Sequence, residues 1–292
     1  MSSTPSAKLS APSPLGKSSD RDPAEMSRET AGSAGDSALS FDAAIFDMDG
    51  VITKTAAVHS SAWKRMFDDF LQVRAATHHE PFHEFTHAHD YHAYVDGRPR
   101  YDGVEAFLKS RGISLPLGSP DDLPGTATIR GLGNRKNALF NRILEDEGVS
   151  LFDSSIALVR ALLARGIRVG LATSSKNSTM ILGKTHTAPL FATVVDGLVS
   201  EQLGLKGKPE PDIFVTACRN LGVPCARAIV VEGAVAGVQA GAKGGFGLVI
   251  GVARENNRRE LRDHGADLVV GDLAETNIEE ISQLVQKKRT GA

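Results

Sequence analysis

Cysteine is scarce in this chain. Only Cys218 and Cys225 occur in 292 residues, which excludes a disulfide-stapled secreted scaffold and any zinc site built from paired C-x-x-C motifs. Aromatic residues are few as well. Three tyrosines and one tryptophan offer little surface on which unpaired bases stack. Neither sign of charge dominates: Lys plus Arg number 33 against 35 for Asp plus Glu, a net charge of −2. The basic excess of an electrostatically driven nucleic-acid binder is therefore missing. No apolar run approaches the ~18–20 residues that span a bilayer, and no apolar stretch near the N-terminus reads as a signal peptide. The expected location is the cytoplasm, with neither nucleic acid nor membrane as a partner.

What is present suits a globular protein. Hydrophobic residues make up 41% and charged residues 23%, and the length predicts about two domains. Residues 1–40 are rich in Ser, Pro, Ala and Gly without an apolar period, so a disordered tail is expected there. The final Lys-Lys-Arg-Thr-Gly-Ala is expected to fray. Short apolar runs begin at Ala43-Ala44-Ile45-Phe46-Asp47 and recur at Ile167–Ala172, Ala228–Val231, Gly247–Val252 and Ala266–Val270. Amphipathic helix patterns lie between most of them, at Ser154–Arg165 and Pro211–Leu221 for example. Strands alternating with helices imply a parallel sheet covered on both faces. Residues 58–148 lack such runs. Trp63, Met66, Phe67, Phe70 and Leu71 follow a helical stripe, and further helices are expected at Asp102–Arg111 and Arg135–Glu147. The predicted fold is α/β: a Rossmann-like parallel sheet core over residues 41–57 and 149–287, with an inserted α-helical cap domain over 58–148.

Chemistry concentrates where the strands end. Asp47-Met48-Asp49-Gly50 closes the first run; residues i and i+2 of an extended segment point the same way, so two carboxylates face one crevice. Alone, the motif equally describes a surface turn. Thr173-Ser174-Ser175-Lys176-Asn177 follows the second run and suits a phosphate, or a helix N-cap. Gly207-Lys208-Pro209 offers a fixed positive charge, or a solvated loop lysine. Val231-Glu232-Gly233 ends a further run with an acid suited to a metal, or with a surface glutamate.

In this order the four motifs resemble the haloacid dehalogenase-like superfamily over essentially all of residues 41–287. The resemblance implies Asp47 as phosphoryl-accepting nucleophile and Asp49 as general acid/base. It implies Thr173, Ser174 and Lys208 as phosphate ligands, and Mg²⁺ held by Asp47, Asp49 and Glu232. A finer similarity is to the β-phosphoglucomutases, carried by Asp47-Met-Asp-Gly-Val-Ile-Thr, Thr55, His59, Trp63, Gly97-Arg-Pro-Arg100, Arg135-Lys136-Asn137 and Ser175-Lys176-Asn177. It implies substrate binding by Thr55, His59, Trp63, Arg100, Lys136, Ser175, Lys176 and Asn177. It also implies that His59 links cap closure to the acid/base. The implied activity interconverts β-glucose 1-phosphate and glucose 6-phosphate in a monomer acting on a small sugar phosphate. A sugar-phosphate phosphatase and a catalytically impaired sugar-phosphate binder stay open as alternatives.

Two departures bear on that. Gly233 stands where the family has a metal-binding aspartate, and Lys54 stands where it usually has aspartate. The cap is longer than the family norm around residues 75–95 and 113–130. Seven of nine histidines fall between His59 and His92. His83 and His87 share the i, i+4 spacing of a metal pair, but the segment reads as a polar cap loop. Gly183-Lys184-Thr185 lacks the upstream glycine of a phosphate-binding P-loop. Gly237 and Gly241 are expected to permit close helix–sheet packing.

Overall fold

The computed structural model describes residues 39–291. The tail expected over 1–40 lies outside the described residues, apart from Leu39 and Ser40; the Ser40 backbone N–H donates to Ser282 Oγ at 2.9 Å.

Six strands form one sheet: β1 (Ala43–Phe46), β2 (Arg168–Ala172), β3 (Thr193–Val195), β4 (Ala228–Glu232), β5 (Leu248–Val252) and β6 (Leu268–Val270). Their order is β3-β2-β1-β4-β5-β6, every neighbouring pair parallel. β1 lies inside the sheet, which explains its unbroken apolar sequence: all four of its residues are fully buried. Its side chains alternate between two cores. Ala44 and Phe46 join Leu171, Val231 and Ile250 on one face, and Ala43 and Ile45 join Val230, Val249 and Phe214 on the other.

Helices cover both faces, as βαβ connections require. α4 (Asp153–Ala164) and α10 (Ile278–Thr290) close the first core through Val159, Leu162, Ile281 and Val285. α7 (Asp212–Leu221), α8 (Val235–Lys243) and α9 (Arg258–Asp263) close the second. Gly241 lets α8 approach the sheet, since a Cβ there would meet Val249 at 3.0 Å. The C-terminus differs from expectation. α10 stays helical to Thr290, where Gly291 adopts the left-handed conformation and donates its N–H to Lys287 O, and Lys288 Nζ reaches Asp267 at 2.6 Å.

The strand β3 was not expected; only two of its three residues are apolar. The short helices α5 (Ser178–Lys184) and α6 (Gly197–Leu203) carry no long stripe either.

Between β1 and α4 the chain forms a helical group: α1 (Ala56–His78), α2 (Arg100–Ser110) and α3 (Ile129–Glu147). It leaves and re-enters the sheet layer side by side. Lys54 N–H donates to Ser150 O at 2.8 Å and Phe152 N–H to Ile52 O at 3.0 Å. Residues expected to form a polar loop are instead a π-helix, His87–Val95. Its signature is a five-residue hydrogen bond, Tyr91 N–H to Thr86 O at 3.1 Å and Asp96 N–H to Tyr91 O at 2.9 Å. Among the described residues no helix is long and apolar enough to cross a membrane.

Phe67 is the hub of the helical group. Its ring lies 5.3 Å from Trp63, 5.1 Å from Phe85 and 4.1 Å from Phe107, centroid to centroid. Phe67→Ala opens a cavity at a fully buried site and is expected to cost about 3–5 kcal/mol. Trp63, the sole tryptophan, reports the loss by its fluorescence in a urea titration. A change under about 1 kcal/mol contradicts this packing.

Candidate active site

Register explains why distant motifs meet. Phe46 pairs with Leu171 on one side and with Val231 on the other. Asp47 and Glu232 therefore emerge at the same level, with Thr173 one residue further along, at the carboxyl edge where open parallel sheets place ligands. Lys208 arrives from the segment before α7. Its ammonium donates to Asp47 Oδ1 at 2.7 Å and to Glu232 Oε1. The lysine side chain and Glu232 are wholly inaccessible to solvent.

The electrostatics follow from burial. Burial, then repulsion from Glu232, drive the Asp47 carboxyl well above the ordinary carboxylate range; Lys208 opposes them and Asp49 adds to them. Burial also works against charge on Lys208, but Asp47 and Glu232 outweigh it and hold its ammonium above the usual lysine value. Glu232 commits both oxygens. Oε1 accepts from Lys208, and Oε2 accepts from the N–H groups of Gly233 at 2.8 Å and Ala234 at 2.9 Å. The sequence reading makes Glu232 a metal ligand; in the structure the same carboxylate also fixes Lys208. A Cβ at Gly237 would fall inside its carboxylate, so this glycine makes room for an acid beyond easing helix packing.

Asp49 occupies a different environment. Thr55 Oγ1 donates to its Oδ1, and Thr53 Oγ1 lies 2.7 Å from Thr55 Oγ1. His59 Nε2 lies 3.2 Å from the same carboxylate oxygen but without hydrogen-bond alignment. Burial acts to raise Asp49, yet His59, Thr55 and Lys136 together hold it below the ordinary range. Thr55, expected to touch substrate, is buried beneath Asp49 and is not among the residues lining the cavity.

The cavity, about 590 Å³, is lined by Asp47, Asp49, His59, Trp63, Arg100 and Lys136, and by Thr173 through Asn177. Its helical wall is cationic. Lys136 Nζ lies 2.5 Å from His59 Nδ1 and 4.9 Å above the Trp63 ring. Burial, then repulsion from Arg100, push the Lys136 ammonium well below its usual value. Burial likewise lowers Arg100, and burial and Lys136 lower His59. Arg100 donates to Asn137 Oδ1 at 2.8 Å, and Asn177 Nδ2 donates to the same oxygen at 2.9 Å. Ser174 Oγ donates to Gly97 O at 2.8 Å. These bonds tie the helical group to the sheet. Lys176 borders the cavity but pairs with Glu201 at 2.8 Å. Thr173 accepts from the Ser175 N–H at 3.1 Å. Lys54 is exposed, 5.4 Å above the Phe152 ring, and takes no part in the cavity.

Sequence reasoning missed Tyr91, Val95 and Asp96, which also line the cavity. All come from or just after the π-helix, whose turn is longer than an α-helical one and hides from a search for the α-helical stripe.

A family model described as haloacid dehalogenase-like hydrolase matches residues 41–245. A β-phosphoglucomutase of Mycobacterium tuberculosis is 45% identical over 236 residues, covering 80% of this chain and 90% of that protein. The β-phosphoglucomutase of Bacillus subtilis is 30% identical over 238 residues, covering 81% of this chain and 92% of that protein. A solved structure of β-phosphoglucomutase from Clostridium difficile has a TM-score of 0.68 at 20% identity, covering 86% of this chain and 99% of that one, a likeness of fold.

Gly237→Ala tests the buried charge cluster without touching its members. It forces Glu232 and hence Lys208 to move, and displacements of about 1 Å at such sites cost on the order of 100-fold in rate. That loss is expected in turnover of a phosphate monoester. Gly241→Ala, whose Cβ meets only Val249 and Val230 side chains, is the packing control and keeps its rate. Equal losses in both variants contradict the role given to Gly237.

Proposed function

The chain belongs to the haloacid dehalogenase-like hydrolase family, in its β-phosphoglucomutase branch, and we propose that it interconverts β-glucose 1-phosphate and glucose 6-phosphate through a phosphorylated Asp47. One observation carries the reading beyond family membership. The cavity runs from Asp47 and Thr173 at the strand ends to Lys136 and Arg100 on the helical wall, and the buried Lys208 ammonium backs Asp47 from behind. The far pair suits a phosphate that stays on the sugar while Asp47 takes the other. In this reading residues 41–57 and 149–287 are the core, and 58–148 are a cap that opens on the paired linkers to exchange sugar.

Each role follows from position. Arg100, with Ser175, Lys176 and Asn177, grips the phosphate that is not transferred. Lys136 binds the sugar-phosphate, relieved of repulsion by the incoming anion, and Trp63 walls the sugar. Thr173, Ser174 and Lys208 receive the phosphoryl group that reacts. Asp47 attacks phosphorus as the bond to the sugar oxygen breaks, and Asp49 gives that oxygen a proton. In the return step Asp49 takes the proton of the other sugar hydroxyl, which attacks the phosphorus on Asp47. His59 and Thr55 hold Asp49 in place. A closed cap excludes water, so the hydroxyl is the acceptor.

The family generally uses Mg²⁺, and the donors here fit it. Asp47, Asp49 and Glu232 outnumber the single Lys208 ammonium, and repulsion among the acids raises Asp47. Hard carboxylate oxygens suit this ion. Asp47, Asp49 and Glu232 would hold it, the last through lone pairs that its hydrogen bonds leave free. When bound, it offsets the repulsion between the Asp47 carboxylate and a phosphate dianion.

The deciding experiment supplies β-glucose 1-phosphate with a trace of the bisphosphate and follows both glucose 6-phosphate and free phosphate. Isomerisation without phosphate release, abolished by Asp47→Asn, is expected. Phosphate release alone makes the chain a phosphatase; binding without either product makes it an impaired binder. Gly233→Asp is expected to raise Mg²⁺ affinity. A Cβ there meets nothing nearer than 3.6 Å, so a side chain can start at this position without moving backbone. An unchanged Mg²⁺ dependence of turnover contradicts this placement of the ion.

A further inference from the structure

A second cluster of donors lies away from the reacting carboxylate. Among the described residues, His87, His92 and Glu255 bring three potential ligand atoms within 4.8 Å of one another. Both histidines stand on the π-helix. The wider turn brings residues five apart close enough to touch, and the two rings lie 4.9 Å apart. The pair at α-helical spacing, His83 and His87, is not the pair that meets, because residues 80–86 are not helical. Glu255 comes from the other layer, in the segment between β5 and α9.

The arrangement is directional. His87 Nε2 lies 2.7 Å from Glu255 Oε2, and His92 Nε2 lies 3.2 Å from the same oxygen. Their outer nitrogens have partners of their own. His87 Nδ1 lies 2.6 Å from Ser60 Oγ, and His92 Nδ1 lies 3.5 Å from Asp96 Oδ2. Metal-bound imidazoles are oriented by such second contacts, a hydroxyl or carboxylate on the far nitrogen. Tetrahedral coordination at ordinary zinc distances sets donor atoms about 3.3 Å apart, and the two histidine–glutamate spacings are 2.7 and 3.2 Å. Two imidazoles and one carboxylate favour zinc and its neighbours in the transition series over Mg²⁺, and three protein ligands leave a fourth position for water. The side chains are 45%, 24% and 30% exposed, so an ion reaches them from solvent.

We propose that His87, His92 and Glu255 form a site for a Zn²⁺-class divalent cation that fastens the helical group to the sheet layer. Two ligands belong to one side of the cavity and the third to the other. The bound ion resists their separation. The effect on turnover rests on the cap opening inferred above; the binding itself does not, so the two fail separately.

The test titrates Co²⁺ into the full chain in excess Mg²⁺, which saturates sites built of oxygen alone. One Co²⁺ per chain with the intense visible absorption of tetrahedral coordination is expected, displaced by Zn²⁺. His87→Gln, His92→Gln and Glu255→Gln are each expected to weaken binding by at least about tenfold, the loss that removal of even an outer partner brings. Wild-type protein showing only the weak absorption of an octahedral ion overturns the proposal, whatever the variants do. Binding unchanged in all three variants overturns it too. Zn²⁺ is further expected to slow turnover of the wild type and not of the variants; turnover of the zinc-loaded wild type at full rate overturns the fastening.

Discussion

An ammonium group held between two buried carboxylates organises this molecule. Lys208 joins Asp47 to Glu232 in a place closed to solvent, and stripping three charges of water is costly unless each is paired and hydrogen-bonded. Here each is. The backbone N–H groups of Gly233 and Ala234 complete Glu232, and Gly237 leaves the volume its carboxylate fills. That arrangement is available only because β1 lies between β2 and β4 and releases Asp47 at their common edge. The sheet order is thus a condition of the chemistry as much as of the core.

The opposite wall has the reverse character. Lys136 is buried and Arg100 partly so, and burial lowers the proton affinity of both, with repulsion from Arg100 adding to it at Lys136. Acids over the strand ends and bases over the helices make a cavity polarised from end to end. An anionic phosphate is favoured at the helical wall, while at the strand ends it needs a cation to offset the acids.

Much of this was legible in the amino-acid sequence, for identifiable reasons. Most strands are continuous apolar runs, so five of the six announced themselves, each to within a residue or two of its ends. The Asp47–Asp49 pair and Thr173 stood at the ends of such runs, where position implies role. β3 escaped because only Val194 and Val195 of its three residues are apolar. The helix carrying His87 and His92 escaped because it is polar and its turn is longer than that of an α-helix. Glu232 shows a different limit. Sequence reveals an acid at a strand end but not which way its oxygens turn, and here backbone donors and Lys208 claim them. Thr55 likewise was visible as a motif residue, while its place under Asp49 depended on the local turn.

The central claim is that Asp47 becomes covalently phosphorylated, and mass spectrometry tests it most directly. The chain is mixed with β-glucose 1,6-bisphosphate and Mg²⁺, quenched in acid and digested. A phosphoryl group on the peptide containing Asp47, lost when excess sugar monophosphate is added before the quench, is the predicted result. No adduct at any time point, or an adduct on another side chain, contradicts the account.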